Sequence, residues 1–508
     1  MIALVHNNKQ VVNVFDATTE EVIGVQGTIV EVFFKLAEKF PNEKIVWCHK
    51  KLVPHLSIDA LGEVMDIPFK MCSFETSNEY FMNTSIGFVE QTLFINVSKE
   101  VTYPTWLMSS DVGVITADVL VNFKGLLKYK LSFEELLNYI AKKGINNGLL
   151  CYSIPLLLKD GFPIISKKRI SNSQLFRFVK SNYKYRWVWL YLLNKLVYNK
   201  KLLLLSFLNS IFKSKIDINI SIEQLKSVGS IDKYPTIDVL IPTLGRENYL
   251  KDVLLDLSKQ TILPTRIIIV EQQPIENSSS TLDFLNEKWP FEIDHTLIYQ
   301  LGACNARNIG LTKVQSEWTF FADDDIRMET GFLEQSFKYI QYYKARGVTL
   351  SCLREGEVEK LDKIIQWNSF GSGCSIVKSE YLKELQFDMA LEFGYGEDFD
   401  FGMQLRKRGV DILYIPFVKM LHLKAPIGGF RKKIEKEWEQ EQLLPKPSPT
   451  VMVVKLKHSL IEQIQGYKTN LFLKFYRSQA IKNPFKYYSY FKKAWNKSVY
   501  WTNELMKN

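Results

Sequence analysis

The run FFADDDIRM places Asp323, Asp324 and Asp325 directly after a stretch of large apolar residues. Three adjacent carboxylates repel one another, and burying them unpaired is costly. A divalent cation removes that penalty. Oxygen ligands on alternate residues at a strand end suit Mg²⁺ or Mn²⁺ and leave coordination positions open for diphosphate oxygens. An acidic surface turn or a helix N-cap would also favour aspartate here, so the triplet alone does not choose between these readings.

Three further groups bear on that choice. In EFGYGEDFDFGMQLRKRGVDILYIP, Glu397 and Asp398 stand after Gly394 and Gly396, at the start of a helical pattern. Acids in a first helical turn are favoured by the helix dipole. One of the pair could equally act as general base on a hydroxyl, with the glycines letting the loop approach a sugar. His422, in VKMLHLKAP, reads alone as a packed histidine; beside carboxylates a neutral imidazole is also a ligand for Mn²⁺. In QLGACNARNIGLTKV, Arg307 opens a helix between Asn305 and Asn308. An arginine there can neutralise a diphosphate with directional hydrogen bonds, or simply lie on the surface.

These groups need a scaffold, and the chain supplies one. IDVLIPTL, RIIIVEQQP and WTFFADDD read as buried strands ending in polar residues. Between the first two lies a helix with Leu250, Val253, Leu254 and Leu257 on one face. That is a β-α-β series with a parallel-rich sheet. Its span is expected at 234–431. Residues 1–165 alternate short apolar runs with helical patterns and predict a second α/β domain. Residues 166–233 are rich in lysine, leucine and aromatics. They read as a linker helix packed between domains, or as an interfacial helix at a membrane surface. Residues 432–508 turn helical, basic and aromatic after LLPKPSPT, with docking on an anionic membrane or an oligomeric partner as the alternative to simple packing.

The order IPTLGR, IIIVEQQ, ARNIG, FADDD, GEDFDFGMQLRKRG and then His422 resembles the family 2 glycosyltransferases of GT-A fold. The resemblance covers 234–431. It implies metal ligation by Asp323, Asp325 and His422, with Mn or Mg as cofactor. Asp324 would face the donor ribose or the metal. Asp398 is implied as the base, with Glu397 as its neighbour. Pro242, Thr243 and Arg246 would contact the nucleotide, as would Asn305 and Arg307. The family usually has aspartate, holding the nucleobase, where Glu271 stands; Glu271 would make that contact here, and its longer side chain leaves the base identity open, with UDP the commonest donor. The implied reaction is transfer from a nucleotide sugar to a glycan or lipid-linked glycan hydroxyl with inversion, in a bacterial surface polysaccharide pathway.

An internal echo links FEELLNYIAKKGINNGLLCYSIPLLL, from Phe133, to EDFDFGMQLRKRGVDILYIPFVKML. It predicts that the first domain is a degenerate GT-A-like copy serving acceptor positioning or assembly.

Composition bounds the alternatives. A net charge of +10 over 508 residues favours acidic partners but is too dispersed to argue for nucleic acid. Six scattered cysteines without a CxxC pair suit a reducing compartment. The N-terminus reads as a strand, not a signal peptide. The longest apolar run, from Leu202, is too short to span a bilayer. A cytoplasmic protein, peripheral at the membrane and able to self-associate, is expected. A nucleotidyltransferase acting on sugar phosphates would want a glycine-rich basic loop where PTLGRENY stands. A non-enzymatic basic scaffold would leave Asp323, Asp325, Asp398 and His422 unexplained.

Overall fold

The computed structural model describes every residue except 68, 225–228, 230–233, 426–434 and 508. The expected boundaries near 233 and 431 lie outside the described residues. Contacts divide the chain into two compact units. The first is Met1–Gln224 with Ser459–Ala480, and the second is Leu225–His458 with Ile481–Asn508.

The first unit holds seven strands: β1 (Ile2–His6), β2 (Val11–Asp16), β3 (Lys44–His49), β4 (Lys70–Phe74), β5 (Tyr103–Pro104), β6 (Val112–Thr116) and β7 (Leu150–Ser153). They form one sheet in the order β2-β1-β3-β6-β4-β7-β5. Its helices are α1 (Ile29–Lys39), α2 (Ile58–Val64), α3 (Ala117–Val121), α4 (Phe133–Gly144), α5 (Asn172–Asn182), α6 (Arg186–Asn199) and α7 (Leu204–Phe212). Helices α1, α4 and α5 each begin with a reciprocal capping box, Thr28 with Glu31, Ser132 with Glu135, and Ser171 with Gln174. Each box satisfies two otherwise orphaned backbone donors and fixes where the helix starts. Phe33 of α1 and Phe133 of α4 then meet edge to face over the sheet, and Phe33 also packs against Trp47 of β3. Residues up to 224 of the expected linker cluster with this unit.

The second unit holds β8 (Ile237–Thr243), β9 (Arg266–Gln272), β10 (Glu292–Ile298), β11 (Trp318–Ala322), β12 (Ile326–Met328), β13 (Gly347–Leu353), β14 (Ile365–Gln366), β15 (Cys374–Lys378) and β16 (Leu413–His422). The sheet order is β10-β9-β8-β11-β15-β13-β16-β12, with β14 also on β16. Strands β10, β9, β8 and β11 are mutually parallel, while β15 runs antiparallel to its neighbours. The apolar runs predict the parallel part of this sheet, whereas the antiparallel pairings of β15 with β11 and β13, and of β12 and β14 with β16, make it evenly mixed rather than parallel-rich. Strand β10 was not legible, because EIDHTLI is only half-buried along its length and lacks an apolar run.

Helices α8 (Glu247–Ser258), α9 (Ala303–Leu311), α10 (Phe332–Tyr342) and α11 (Glu397–Lys407) accompany the sheet. Leu250, Val253, Leu254 and Leu257 of α8 are all fully buried. Each such side chain is worth about 1.5–3 kcal/mol, well above the spread of intrinsic helix propensities. Packing therefore holds α8 more than propensity does.

The C-terminal region is helical: α12 (Pro449–His458), α13 (Ile461–Ser478) and α14 (Pro484–Leu505). It is shared between the units, α12 and α14 with the second and α13 with the first. The cause is visible in side-chain contacts. Gln463 of α13 donates to the carbonyls of Glu90 and Thr92, and Thr469 donates to Asn194 of α6. Helix α12 is tied to α11 instead. Asp400 is fully buried and meets His458 at 2.7 Å and Lys457 at 2.6 Å.

Set against each other, the two sheets share one plan. In the first unit β1, β3, β6, β4 and β7 lie side by side, with β5 antiparallel on β7. In the second unit β8, β11, β15, β13 and β16 do the same, with β14 antiparallel on β16. Every neighbouring pair has the same relative direction: parallel, antiparallel, antiparallel, parallel. The strands also follow the same chain order, and α4 precedes β7 as α11 precedes β16. The first unit has an antiparallel β2 on its outer edge where the second has parallel β9 and β10.

Asp400→Asn is expected to destabilise the second unit by about 1–3 kcal/mol, because buried His458 loses its carboxylate partner, whereas Lys457 is exposed and keeps Asp388. Burial alone would raise the Asp400 pKa, but hydrogen bonds from His458 and Lys457 pull it down to about 2. Its contribution is therefore complete above the usual aspartate value of about 4 and lost as pH falls from there toward 2. Denaturant titrations of both proteins across that range check the magnitude and its pH dependence.

Candidate active site

The three acids follow β11, whose residues are all buried, so the strand delivers them together at its C-terminal end. Their surroundings differ. Asp324 is buried and accepts from Thr243 Oγ1 at 2.7 Å and from Arg246 Nη1 at 2.5 Å. Burial, against the pull of Arg246, pushes its pKa up to about 6. Asp325 is also buried; Ala425 N donates to it at 2.9 Å, and Arg246 lies 3.2 Å away. Burial would raise its pKa, but His422 and Arg246 hold it below the usual carboxylate range. Asp323 is the most accessible of the three and pairs with Arg307 Nη2 at 3.1 Å.

His422 ends β16, and the pairing of β12 with β16 sets it opposite Ile326, the residue after the triplet. Its Nε2 lies 3.4 Å from Asp325. Ligand atoms of Asp323, Asp325 and His422 lie within 4.8 Å of one another. Two carboxylates and an imidazole form a donor set suited to Mn²⁺ or Mg²⁺.

Arg307, on α9, is almost wholly buried, and its Nε has no hydrogen-bond partner among the described residues. Burying a guanidinium with an unsatisfied donor is expensive, so an acceptor arriving beside Asp323 would be favoured. Asp398 lies in the first turn of α11 and accepts from Ser372 N at 3.2 Å. Burial raises its pKa; Arg307 opposes this and Asp323 reinforces it, leaving it above the ordinary value. Glu397 is pushed up to about 7, chiefly by burial and then by the charge of Asp398.

Several expected residues have other partners. Thr243 and Arg246 bond Asp324, and Pro242 is a buried β8 residue paired with Val270 of β9. Glu271 accepts from Gln273, Ser280, Thr281 N and His295, which occupies both its oxygens. Asn305 donates its side chain to the Gln300 carbonyl, and its backbone N–H goes to Glu392. Glu392 caps α9, accepting also from Cys304 N; nothing in the local sequence marks it for that task. Gly394 and Gly396 are explained by packing as well. A Cβ would come within 2.5 Å of Thr450 and Val454 respectively, so the glycines let α12 approach the loop before α11.

Gly373 is a site residue that the sequence reading missed. A Cβ there would sit 2.1 Å from Asp323 Oδ2. Gly373→Ala is expected to turn the Asp323 carboxylate away and weaken Mn²⁺ binding about 10–100-fold, the range for disturbing a ligand's support. The melting temperature should change little, since a flexible side chain absorbs the clash. Mn²⁺ titration followed by electron paramagnetic resonance, with a melting curve alongside, checks both.

Residues 238–406 match the family described as Glycosyl transferase family 2. A curated relative, "Glycosyltransferase GlyA" of Streptococcus pneumoniae serotype 4, is 28% identical over 113 residues, 22% of this chain and 16% of that protein. The chain thus aligns with only a small part of that relative. Among solved structures, S. aureus TarS is similar at 16% identity, covering 46% of this chain and 42% of that one, with a TM-score of 0.34. A shorter TarS chain in complex with UDP-GlcNAc is similar at 16% identity, covering 52% and 80%, with a TM-score of 0.36. The acids at the end of β11 and at the start of α11 both fall inside the matched span, and residues 238–406 form a glycosyl transferase family 2 domain.

Proposed function

We propose that the second unit transfers a sugar from a nucleoside-diphosphate sugar, most simply a UDP-sugar, to a hydroxyl of a glycan or lipid-linked glycan, with inversion at the anomeric carbon. The observation that carries this reading is the convergence of Asp323, Asp325 and His422 with Arg307 and Asp398 at one end of the sheet.

Each residue has a task. Asp323, Asp325 and His422 would hold Mn²⁺ or Mg²⁺, which when bound supplies charge stabilisation to a diphosphate leaving group. Arg307, buried and short of one acceptor, donates to oxygens on which charge builds as the donor breaks. Arg246 and Thr243 fix Asp324, so the triplet keeps its geometry while its neighbours exchange partners. Asp398 takes the proton from the incoming hydroxyl, and its raised pKa strengthens it as a base. One base acting on one incoming hydroxyl gives a single displacement and hence inversion. The first unit reads as a degenerate copy of the same fold, used for acceptor positioning or assembly. Aligning the β3–β6 register on that of β11–β15 sets His49, Lys50 and Lys51 where Asp323, Asp324 and Asp325 stand. A cation site cannot survive that exchange. A bacterial surface polysaccharide pathway on the cytoplasmic side is the setting that the family suggests.

Release of nucleoside diphosphate from a panel of nucleotide sugars, with Mn²⁺ and with chelator, tests the reading. Turnover of one donor is expected, lost on chelation and reduced about 10²–10³-fold in Asp325→Ala. Absence of turnover and of metal-dependent donor binding with every donor would sink it.

The pH profile tests Asp398 separately. A base must be ionised, and Asp398 is held above the ordinary value of about 4. Transfer should therefore fall as pH is lowered through a limb above that value, and Asp398→Asn should cost about 10²–10⁴-fold. A profile flat down to pH 4 in the wild type would remove Asp398 from the role.

A further inference from the structure

Helix α6 is apolar on two sides. Its inner side buries Val188, Tyr191 and Leu192, and Tyr191 packs edge-on to Phe176 and Phe88. Its outer side carries Trp189, Leu193, Leu196 and Val197, spaced at four, three and one residues, and all are exposed. Helical periodicity makes these one stripe. A surface helix in water normally sets polar residues on that side.

Helix α7 repeats the arrangement. Phe207 and Ser210 are buried, while Leu204, Leu205, Leu208 and Phe212 face outward. Leu205 and Phe212 are each 85% exposed. The Trp189 ring lies 4.5 Å from that of Phe207, on the buried side of α7, so the two helices pack directly against each other. Lys180 of α5 donates to the carbonyls of Ser210, Ile211 and Lys213, which anchors the end of α7. The exposed apolar face is therefore part of a fixed structure.

Its charge is one-sided. Lys184, Arg186, Lys200, Lys201 and Lys213, on or next to these helices, are exposed, while Lys215 pairs with Asp217. No aspartate or glutamate occurs from Lys184 to Ile216. Protein interfaces are depleted in lysine. An apolar face with tryptophan and a lysine rim instead matches the boundary between lipid headgroups and acyl chains. Helix α6 has 14 residues, about 21 Å at 1.5 Å each, and no described helix is long and apolar enough to cross a membrane.

We infer that the outer face of α6 and α7 is a docking surface for an anionic lipid bilayer, lying in the headgroup plane. The apolar stripe enters the interface while the basic rim meets the negative surface. This inference rests on the first unit alone and is independent of the activity proposed for the second.

Flotation of the full chain with large unilamellar vesicles tests it. The vesicles are pure phosphatidylcholine, or phosphatidylcholine with phosphatidylglycerol at roughly two parts to one. Binding is expected to the anionic vesicles, at least about tenfold weaker to the neutral ones, and weakened by salt. Leu205→Glu with Phe212→Glu, both at highly exposed positions, should abolish flotation without changing the melting temperature. Lys200→Glu with Lys201→Glu should weaken it separately, which keeps the test decisive if the first variant folds poorly. Wild-type failure to float with anionic vesicles, or undiminished flotation of both variants, overturns the inference. So does self-association in sedimentation velocity that the first variant removes while no vesicle is bound, since the face would then join two copies of the chain.

Discussion

Three adjacent carboxylates at the end of β11 are the constraint on which the second unit depends. Asp324 and Asp325 are buried, and the chain must bring compensation to them from outside the triplet. Arg246 arrives from the end of β8 and Arg307 from α9, while His422 comes from the last strand of the sheet. The result is a balance that leaves the three acids unequal. One is locked by Thr243 and Arg246, one is held by a backbone donor and His422, and one stays accessible beside a guanidinium with a donor to spare. Unequal acids are what a binding site needs, since the accessible Asp323 can change partners while the locked Asp324 preserves geometry.

The elements around this cluster can be understood as supports for it. Strand β15 runs antiparallel to β11 and ends its pairing with Cys374 opposite Ala322, which puts Gly373 against Asp323. The same loop offers Ser372 N to Asp398, so one turn buttresses both the first acid and the candidate base. Helix α11 is itself fixed by Asp400, which reaches His458 and Lys457 on α12. The C-terminal segment is thus tied to the helix that begins with Glu397 and Asp398.

The first unit shows the same plan under a different charge. Its strands follow the same order and directions, yet the end of β3 and the two residues after it carry His49, Lys50 and Lys51. Near the equivalent strand ends, Glu75 and Asp111 are buried against Lys167 at 2.7 and 2.9 Å. There a lysine of the chain itself neutralises the acids. Fold and site are separable in this protein, since the shared sheet persists in the unit whose acid triplet is missing.

Local chemistry was legible in the sequence. Apolar runs gave β8, β9 and β11, and helical spacing gave the buried face of α8. The acid clusters marked both ends of the candidate site. The echo between residues 133–158 and 397–421 pointed to the shared α4–β7 and α11–β16 units. Partnership was not legible. Arg246 and Asp324 are 78 residues apart, and Ala425 and Asp325 are 100 apart. No spacing rule links such residues, because strand order and register set the distance between them. For the same reason the partners of Glu271 within the chain, Gln273, Ser280, Thr281 and His295, could not be read in advance, nor could the capping of α9 by Glu392. By itself the sequence determined which side chains could do chemistry and which local elements would carry them. Only the tertiary structure decided which charges are paired and which remain available, because burial and long-range pairing exist only once the sheet has closed around them.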